Sequence, residues 1–445
     1  MSQSGTRGVV GQTLTPHVVL KTVQAFGSYL GKGPVIVGGD TRTSHEMIKG
    51  AVISGLMSIG IDVIDIGKVP TPTVQQMIRH HKATGGIVIT ASHNPIVWNG
   101  LKLMNASGSF MNVAEYAAFM KFYESDKPAL ATWSTVGKIR VDETAIQKHI
   151  DLILSVIDPT SIQKAGLRAA IDPNNGAACI ADKILMERLN VKYDIIHGDP
   201  TGVFSHNPEP VKGNLQSLMA FMQEGNYDIG FGQDADADRL VILDEKGGFI
   251  GEDYSLAFCV DYILSQEKSS DKRVVVNLST SQVIDFVARK HGAAITHTKI
   301  GESHVTEGIR KEKACVGGEG NGGVIYPKVG WGRDSLVGIV VALKHLAEKK
   351  QTVSQIVSTY PSYTMLREKI EAGSKDEVSS LIKSIETLFK EYPQNTQDGV
   401  KVIMPESWVH VRPSNTEPIV RIFIETPASQ NGKEIFEKIQ RLFLK

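Results

Sequence analysis

Three stretches of this chain repeat one plan: an apolar strand that ends in polar residues, a loop, then an amphipathic helix. Pro34-Val-Ile-Val-Gly-Gly-Asp40 reads as a buried strand closing on a carboxylate. Thr43-Ser-His-Glu46 has the spacing of a capping box. Met47, Ile48, Ala51, Val52, Leu56 and Ile59 then hold a helical period until Gly60 closes it. Residues 61–66 predict a second strand and residues 86–89 a third. The plan returns at 167–176, where Ala-Ala-Ile leads into Asp172-Pro-Asn-Asn-Gly, and at 273–281, where Val-Val-Val leads into Asn277-Leu-Ser-Thr-Ser. Such alternation favours parallel sheets with helices on both faces. Ligands of such sheets gather in the loops at the carboxyl ends of the strands.

The last eighty residues read differently. Residues 375–390 predict a helix, and 408–412 and 419–425 predict paired strands around the turn Pro413-Ser-Asn-Thr-Glu-Pro418. At 445 residues, a prior of about 100–200 residues per domain gives three or four domains. The expected class is α/β, with mixed α/β units at 1–150, 151–250 and 251–363 and an α+β module at 364–445. No low-complexity linker separates them, so the units should pack together.

Composition narrows the function. The 48 basic and 48 acidic residues balance, which argues against a bulk electrostatic grip on nucleic acid. Cys179, Cys259 and Cys315 are odd in number and lie in apolar settings, which fits free thiols in a reducing compartment. The first residues lack the apolar stretch of a signal peptide, and no apolar run reaches the roughly 18 residues of a membrane-spanning helix. The expectation is a cytoplasmic protein without membrane or nucleic-acid partners.

Four motifs carry chemistry. Thr90-Ala-Ser92-His-Asn-Pro95 puts a serine where a buried strand gives way to a loop, and Asn-Pro keeps a helix from starting there. Such a hydroxyl can carry phosphate covalently or simply stabilise a turn. Ser205-His-Asn-Pro208 repeats the tetrapeptide without a long buried strand before it, and is read as structural. His93, adjacent to Ser92, is poorly placed as the base of a Ser–His pair. Asp234-Ala-Asp236-Ala-Asp238-Arg239 offers three carboxylates that can point at one hard cation such as Mg²⁺. Asp234, Asp236, Asp238 and Glu245 also match EF-hand positions, but Arg239 replaces the required glycine and the flanks read as strands. In Gly317-Gly-Glu319-Gly-Asn321-Gly-Gly323, Glu319 and Asn321 can bond sugar hydroxyls beside bare glycine backbone; a plain turn is the other reading. Arg412, with Ser414, Asn415 and Thr416, can surround a phosphate or form an ordinary hairpin turn.

Taken in this order, the four motifs resemble those of the α-D-phosphohexomutase family over essentially the whole chain. The resemblance implies four domains around a central cleft, the first three of one fold. It implies a phosphorylated Ser92, with Mg²⁺ between that phosphate and the three aspartates. Arg7, in Gly5-Thr-Arg-Gly8, matches an active-site arginine of the family, and Lys102, in Asn99-Gly-Leu-Lys102, its proton-transfer lysine, whose pKa cationic neighbours should lower. Arg239 matches a residue lining the sugar site. The implied activity is interconversion of hexose 6- and 1-phosphates through a hexose bisphosphate; a homodimer is allowed for.

The chain also departs from the family. Gly323 stands where many relatives have histidine, and Gly301-Glu302-Ser303 where many have Gly-His-Ser, so the second proton-transfer group stays open. The glycine-rich loop resembles phosphoglucosamine mutases, with Glu302 expected to face a protonated 2-amino group. Phe204-Ser-His-Asn-Pro-Glu-Pro210 is more similar to glucose and mannose enzymes. A metal-dependent phosphatase and a non-catalytic sugar-phosphate sensor are the alternatives from other classes.

Overall fold

A computed structural model describes residues 5–371, 374–413 and 419–443. Its first sheet holds β1 (Thr6–Val9), β2 (Val35–Gly39), β3 (Val63–Lys68), β4 (Gly85–Ile89), β5 (Trp98–Asn105) and β6 (Ile139–Val141), in the order β1-β5-β4-β2-β3-β6. β2, β3, β4 and β6 run parallel, while β5 returns antiparallel to β4 and pairs with β1. The second sheet holds β7 (Arg168–Asp172), β8 (Lys192–Ile195), β9 (Ile229–Gln233) and β10 (Leu240–Leu243), in the order β10-β9-β7-β8. The third holds β11 (Arg273–Asn277), β12 (Ala294–Thr298), β13 (Val316–Glu319) and β14 (Gly323–Ile325), in the order β12-β11-β13-β14.

All three sheets share one core: three parallel strands with an antiparallel strand beside the last of them. The repeat extends to hydrogen bonds. The first strand of each core ends in Asp40, Asp172 or Asn277, whose Oδ1 accepts the backbone N–H two residues on, at 3.1, 2.9 and 3.0 Å. These are Asx turns, in which a short side chain imitates the backbone and fixes the exit of the chain. The continuous apolar runs fold as expected, because a parallel strand is buried on both faces. The fourth sheet is wholly antiparallel: β15 (Tyr363–Glu371), β16 (Gln394–Asn395), β17 (Val400–Met404), β18 (Ser407–Pro413) and β19 (Ile419–Pro427), in the order β15-β19-β18-β17-β16. The helices Lys375–Leu388 and Lys433–Phe443 accompany it.

One sequence expectation fails locally. The helix after β2 starts at His45 with Ser44 as N-cap, and no side chain caps it. Ser44 Oγ instead accepts from Asn99 Nδ2 at 2.8 Å, and Glu46 pairs with Lys49 at 3.1 Å. A tertiary partner on Ser44 and a pair one helical turn on at Glu46 replace the local box.

The first three units are packed, not tethered. One buried apolar cluster runs from Ile36 and Val88 through Ile171 and Phe231 to Val276, Val316 and Leu343. The helix Thr71–His80 crosses this junction with residues 71–78 all buried. Thr73 Oγ1 meets His149 Nδ1 at 3.0 Å, and His149 Nε2 meets Asp334 Oδ2 at 2.9 Å. Arg79 donates to the Val329 carbonyl at 2.7 Å. The fourth unit has its own core, around Ile385, Val411 and Ile422, and reaches the third through Lys401 Nζ, which donates to the Leu278 carbonyl at 2.7 Å. No helix among the described residues is long and apolar enough to cross a membrane.

Asp182, on the helix Ala178–Arg188, is a buried carboxyl outside the functional loops. Its one partner among the described residues is Gln233 Nε2, at 3.4 Å. Burial pushes its pKa from 3.8 up to about 8. The folded protein therefore holds a proton that the unfolded chain releases, and stability falls as pH rises across that window. Asp182→Asn keeps the shape and cannot ionise. Its melting temperature should exceed wild type, with a gap that widens from pH 5 to pH 8 and then levels as wild-type Asp182 ionises when folded; a gap independent of pH refutes the assignment.

Candidate active site

β4 delivers Ser92 to the carboxyl end of the first sheet in a left-handed conformation, φ 51°. Its N–H donates to Thr90 Oγ1 at 2.8 Å, and Thr90 Oγ1 donates to Asp40 Oδ2 at 2.5 Å. Beneath the loop lies Arg42, fully buried, with every donor direction used. Nε donates to Asp40 Oδ2 at 3.1 Å; one terminal nitrogen donates to the Pro95 and Trp98 carbonyls, both at 2.8 Å; the other donates to the Ser92 and Asn94 carbonyls at 2.8 and 2.7 Å. A rigid five-donor fork suits this task and an ammonium does not. The sequence reading missed Arg42; an arginine two residues beyond a strand-ending aspartate was the available signal.

The turn from β9 to β10 carries Asp234, Asp236 and Asp238, all fully buried, with carboxylate oxygens within 4.8 Å of one another. Strands on both sides exclude the EF-hand. Ser92 Oγ donates to Asp234 Oδ2 at 3.0 Å, so the serine and the triad meet as expected. Asp234 Oδ1 accepts the N–H groups of Asp238 and Arg239, each at 3.1 Å. Lys102, projecting from β5, donates to Asp236 Oδ2 at 2.6 Å and Asp238 Oδ2 at 2.8 Å. Thr71 Oγ1 also donates to Asp236 Oδ2. Oδ1 of Asp236 and Oδ1 of Asp238 are buried acceptors without a hydrogen-bond partner among the described residues. Three carboxylates with open lone pairs at this spacing fit a metal ion.

The electrostatics correct one expectation. Burial alone would push the Lys102 ammonium down, but contact with Asp236 and Asp238 outweighs it and holds the pKa above its usual value. Arg333 and Arg7 do oppose this, from farther away, and lose. Burial and the two neighbouring carboxylates raise Asp234 well above the carboxylate range. Asp238 is held down despite burial, by Arg333, Lys102 and Arg239.

Arg333, in Trp331-Gly-Arg-Asp334, is the second residue that sequence reasoning missed. Its guanidinium bonds Asp238 Oδ2 at 2.8 Å, Glu302 Oε2 at 2.9 Å and Glu319 Oε2 at 3.0 Å. Two polar residues opening the apolar helix Ser335–Lys349 were its only trace. It also accounts for Gly323: a Cβ there would lie 2.2 Å from Arg333 Cδ, so this loop cannot carry a side chain while Arg333 keeps its place. Glu302 is buried and already engaged, accepting from Arg333 and, through Oε1, from Gln75 Nε2 at 3.2 Å. Burial raises its pKa to about 7. Glu319 Oε1 accepts from Asn277 Nδ2 at 2.9 Å and from the Gly301 N–H at 3.1 Å. Asn321 Oδ1 is buried without a hydrogen-bond partner among the described residues.

The remaining residues border this cluster. Arg7, on β1, reaches the serine loop by donating to Asn94 Oδ1 at 3.0 Å. Arg239 bonds His93 Nδ1 at 2.9 Å, with Nε 3.8 Å from Asp234 and 3.9 Å from Asp238. That occupies the His93 lone pair, and burial with Arg239 lowers the His93 pKa, so His93 is no base for Ser92. In the fourth unit Arg412 pairs with Asp398 Oδ2 at 3.2 Å, an oxygen that also accepts the Ile300 N–H at 3.0 Å. Ser414, Asn415 and Thr416 lie outside the described residues.

Comparison with known proteins accords with this arrangement. Four models of phosphoglucomutase/phosphomannomutase domains match in order: alpha/beta/alpha domain I at residues 1–128, domain II at 147–248, domain III at 251–363 and the C-terminal domain at 366–442. The chain belongs to the phosphoglucomutase/phosphomannomutase family. It is a phosphohexomutase, an isomerase of sugar phosphates. A Thermococcus kodakarensis relative named "Phosphoglucomutase/phosphomannomutase" is 35% identical over 441 residues, covering 97% of this chain and 96% of its own. A Methanopyrus kandleri relative named "Probable phosphoglucosamine mutase" is 36% identical over 436 residues, covering 97% and 95%. The crystal structure of a family protein from Burkholderia thailandensis superposes with a TM-score of 0.85 at 25% identity, covering 100% of this chain and 96% of that one.

For this phosphohexomutase, Arg42→Lys is the informative change in the serine loop. Lysine can pair with Asp40 but cannot bridge four carbonyls. An unmet buried acceptor costs about 1–3 kcal/mol, and of the four carbonyls that of Ser92 is buried and the others half-buried, so urea unfolding should show a loss of about 2 kcal/mol or more, with turnover falling further than the folded fraction. Full activity in the Lys variant contradicts the clamp.

Proposed function

We propose that the protein interconverts glucosamine 6-phosphate and glucosamine 1-phosphate through phosphorylated Ser92 and a glucosamine bisphosphate. The observation that carries the phosphoserine is Ser92 Oγ, 3.0 Å from Asp234 at the rim of three buried carboxylates. Asp234, Asp236 and Asp238 would hold Mg²⁺ together with the serine-borne oxygen. Bound there, the ion would supply positive charge to the phosphoryl oxygens and take over the carboxylates that now keep Lys102 protonated.

The protein groups divide the rest. The P–O bond to Ser92 Oγ breaks as a sugar hydroxyl oxygen bonds to phosphorus, and Lys102 is the candidate to take the hydroxyl proton. Arg7, beside the serine loop, faces the charge on the transferring group. The bisphosphate turns end over end, its other phosphoryl group passes to Ser92, and the proton returns to the oxygen it leaves. Arg412, with Ser414, Asn415 and Thr416, would hold the phosphate that is not reacting, so one anchor serves both orientations. Arg239 lines the sugar. The three free cysteines support a cytoplasmic setting.

The choice of amino sugar rests on Glu302, Glu319 and Asn321. Glu302 and Glu319 gather carboxylate oxygens around Arg333, and Asn321, in the glycine-rich loop with Glu319, holds a buried oxygen without a hydrogen-bond partner among the described residues, so that a 2-ammonium group can be bonded there. The Methanopyrus kandleri relative's name supports this reading. The segment 204–210 and the Thermococcus kodakarensis relative's name favour the second reading, a glucose or mannose phosphate mutase.

Ser92→Ala should give neither phosphorylated enzyme by mass spectrometry nor isomerisation, and in wild type chelation should stop isomerisation until Mg²⁺ is restored. Undiminished isomerisation by the alanine variant would falsify the covalent route. Glu302→Gln should lower kcat/KM for glucosamine phosphates by about tenfold or more, the scale of one charged hydrogen bond, and spare glucose phosphates. Equal losses on both sugars remove Glu302 from amine recognition.

A further inference from the structure

Outside the active site, Asp172, His197 and His206 bring three metal-ligating side chains together. Asp172, at the end of β7, is fully buried. Its Oδ1 is used by the Asx turn. Its Oδ2 lies 3.0 Å from His197 Nδ1 and 3.1 Å from His206 Nε2, and the three ligand atoms fall within 4.8 Å of one another. His206 comes from the second Ser-His-Asn-Pro copy, and His197 from the segment after β8.

The tautomer of His206 makes the cluster informative. Its Nδ1 lies 2.8 Å from the carbonyl oxygen of Asn207. A carbonyl only accepts, so Nδ1 carries a proton, and in a neutral ring Nε2 would present a lone pair to a carboxylate oxygen. Two acceptors at 3.1 Å repel unless a cation lies between them, either a proton or a metal ion. An imidazole oriented by a backbone carbonyl through its far nitrogen is also the arrangement found around metal-bound histidine. Metal bonds of about 2.0–2.2 Å place adjacent ligand atoms about 3 Å apart, the distance at which each histidine nitrogen stands from Asp172 Oδ2. A cleft of about 440 Å³, lined by Asn175, Lys183, Asp199 and Ser205, reaches the cluster at His197.

We propose that Asp172, His197 and His206 form a second cation site, taking a borderline transition ion such as Zn²⁺ or Co²⁺ in preference to Mg²⁺. Two imidazoles and one carboxylate favour such ions, whereas the all-oxygen triad favours a hard one. The consequence is positional. The loop after β7 donates from the Ala177 N–H to the Ala235 carbonyl, inside the carboxylate turn, at 2.8 Å. It also receives the Thr41 hydroxyl of the first unit on the Asn175 carbonyl at 2.7 Å. An ion on Asp172 would tie this loop to the 197 and 206 segments and so stiffen the support of the active-site aspartates.

The test uses the full chain, stripped with a chelator and held in excess Mg²⁺. Titration with Co²⁺ should give one equivalent with visible bands of imidazole ligation, displaced by one equivalent of Zn²⁺. Loss of a ligand should weaken binding by about 100-fold or more in His206→Gln and in the partly exposed His197→Gln, whose folding circular dichroism verifies. Zn²⁺ should raise the melting temperature of wild type and of Asp236→Asn, but of neither histidine variant. The proposal is overturned by no ion retained over Mg²⁺, by unchanged affinity in both histidine variants, or by binding lost in Asp236→Asn. Imidazole NMR shifts indifferent to Zn²⁺ overturn it as well, and leave a proton in the ion's place.

Discussion

Three carboxylates within 4.8 Å of one another, with no solvent contact, are the constraint around which this molecule is arranged. Withdrawing one charge from water costs several kcal/mol unless partners replace the hydration. No single unit supplies those partners. Lys102, Thr71 and Ser92 come from the first, Arg239 and the aspartates from the second, and Arg333 from the third. The packing of the units against one another and the assembly of the site are therefore one event. The two open oxygens, on Asp236 and Asp238, mark where the cage still lacks positive charge.

The fold concentrates chemistry by repetition. In each of the first three sheets, the turn from the last parallel strand into the antiparallel one carries a functional motif: Ser92 after β4, the aspartates after β9, Glu319 and Asn321 after β13. A strand that reverses at the carboxyl edge projects its loop beyond the sheet. Three such sheets packed on a common core bring the three loops to one place. The neighbouring turns, at Asp40, Asp172 and Asn277, keep the same Asx hydrogen bond yet serve different ends. The first holds Arg42, the second gathers two histidines, and the third receives Glu319.

Strands of this kind are legible because burial on both faces leaves an unbroken apolar run, as in residues 35–37, 87–89 and 274–276. Ser92 and the three aspartates were legible because contiguous residues carry them. Arg42 and Arg333 were not. Each acts mainly on partners tens of residues away, and a lone arginine has no periodicity to announce it. The capping box at Thr43 and the lowered pKa expected for Lys102 failed for a related reason. A local rule was overridden by a distant partner, Asn99 for the helix start and the two aspartates for the lysine.

By itself the sequence determined the β/α plan, the identity of the four loops and the kind of chemistry they can carry, since strand burial and motif composition are properties of short segments. Only the tertiary structure decided which charges face one another: that Lys102 rests on two aspartates, that Glu302 is bound by Arg333, and that Gly323 is bare to make room for it. Those outcomes depend on distances between side chains remote along the chain. Coulomb and desolvation energies are fixed by such distances, and residue order does not contain them.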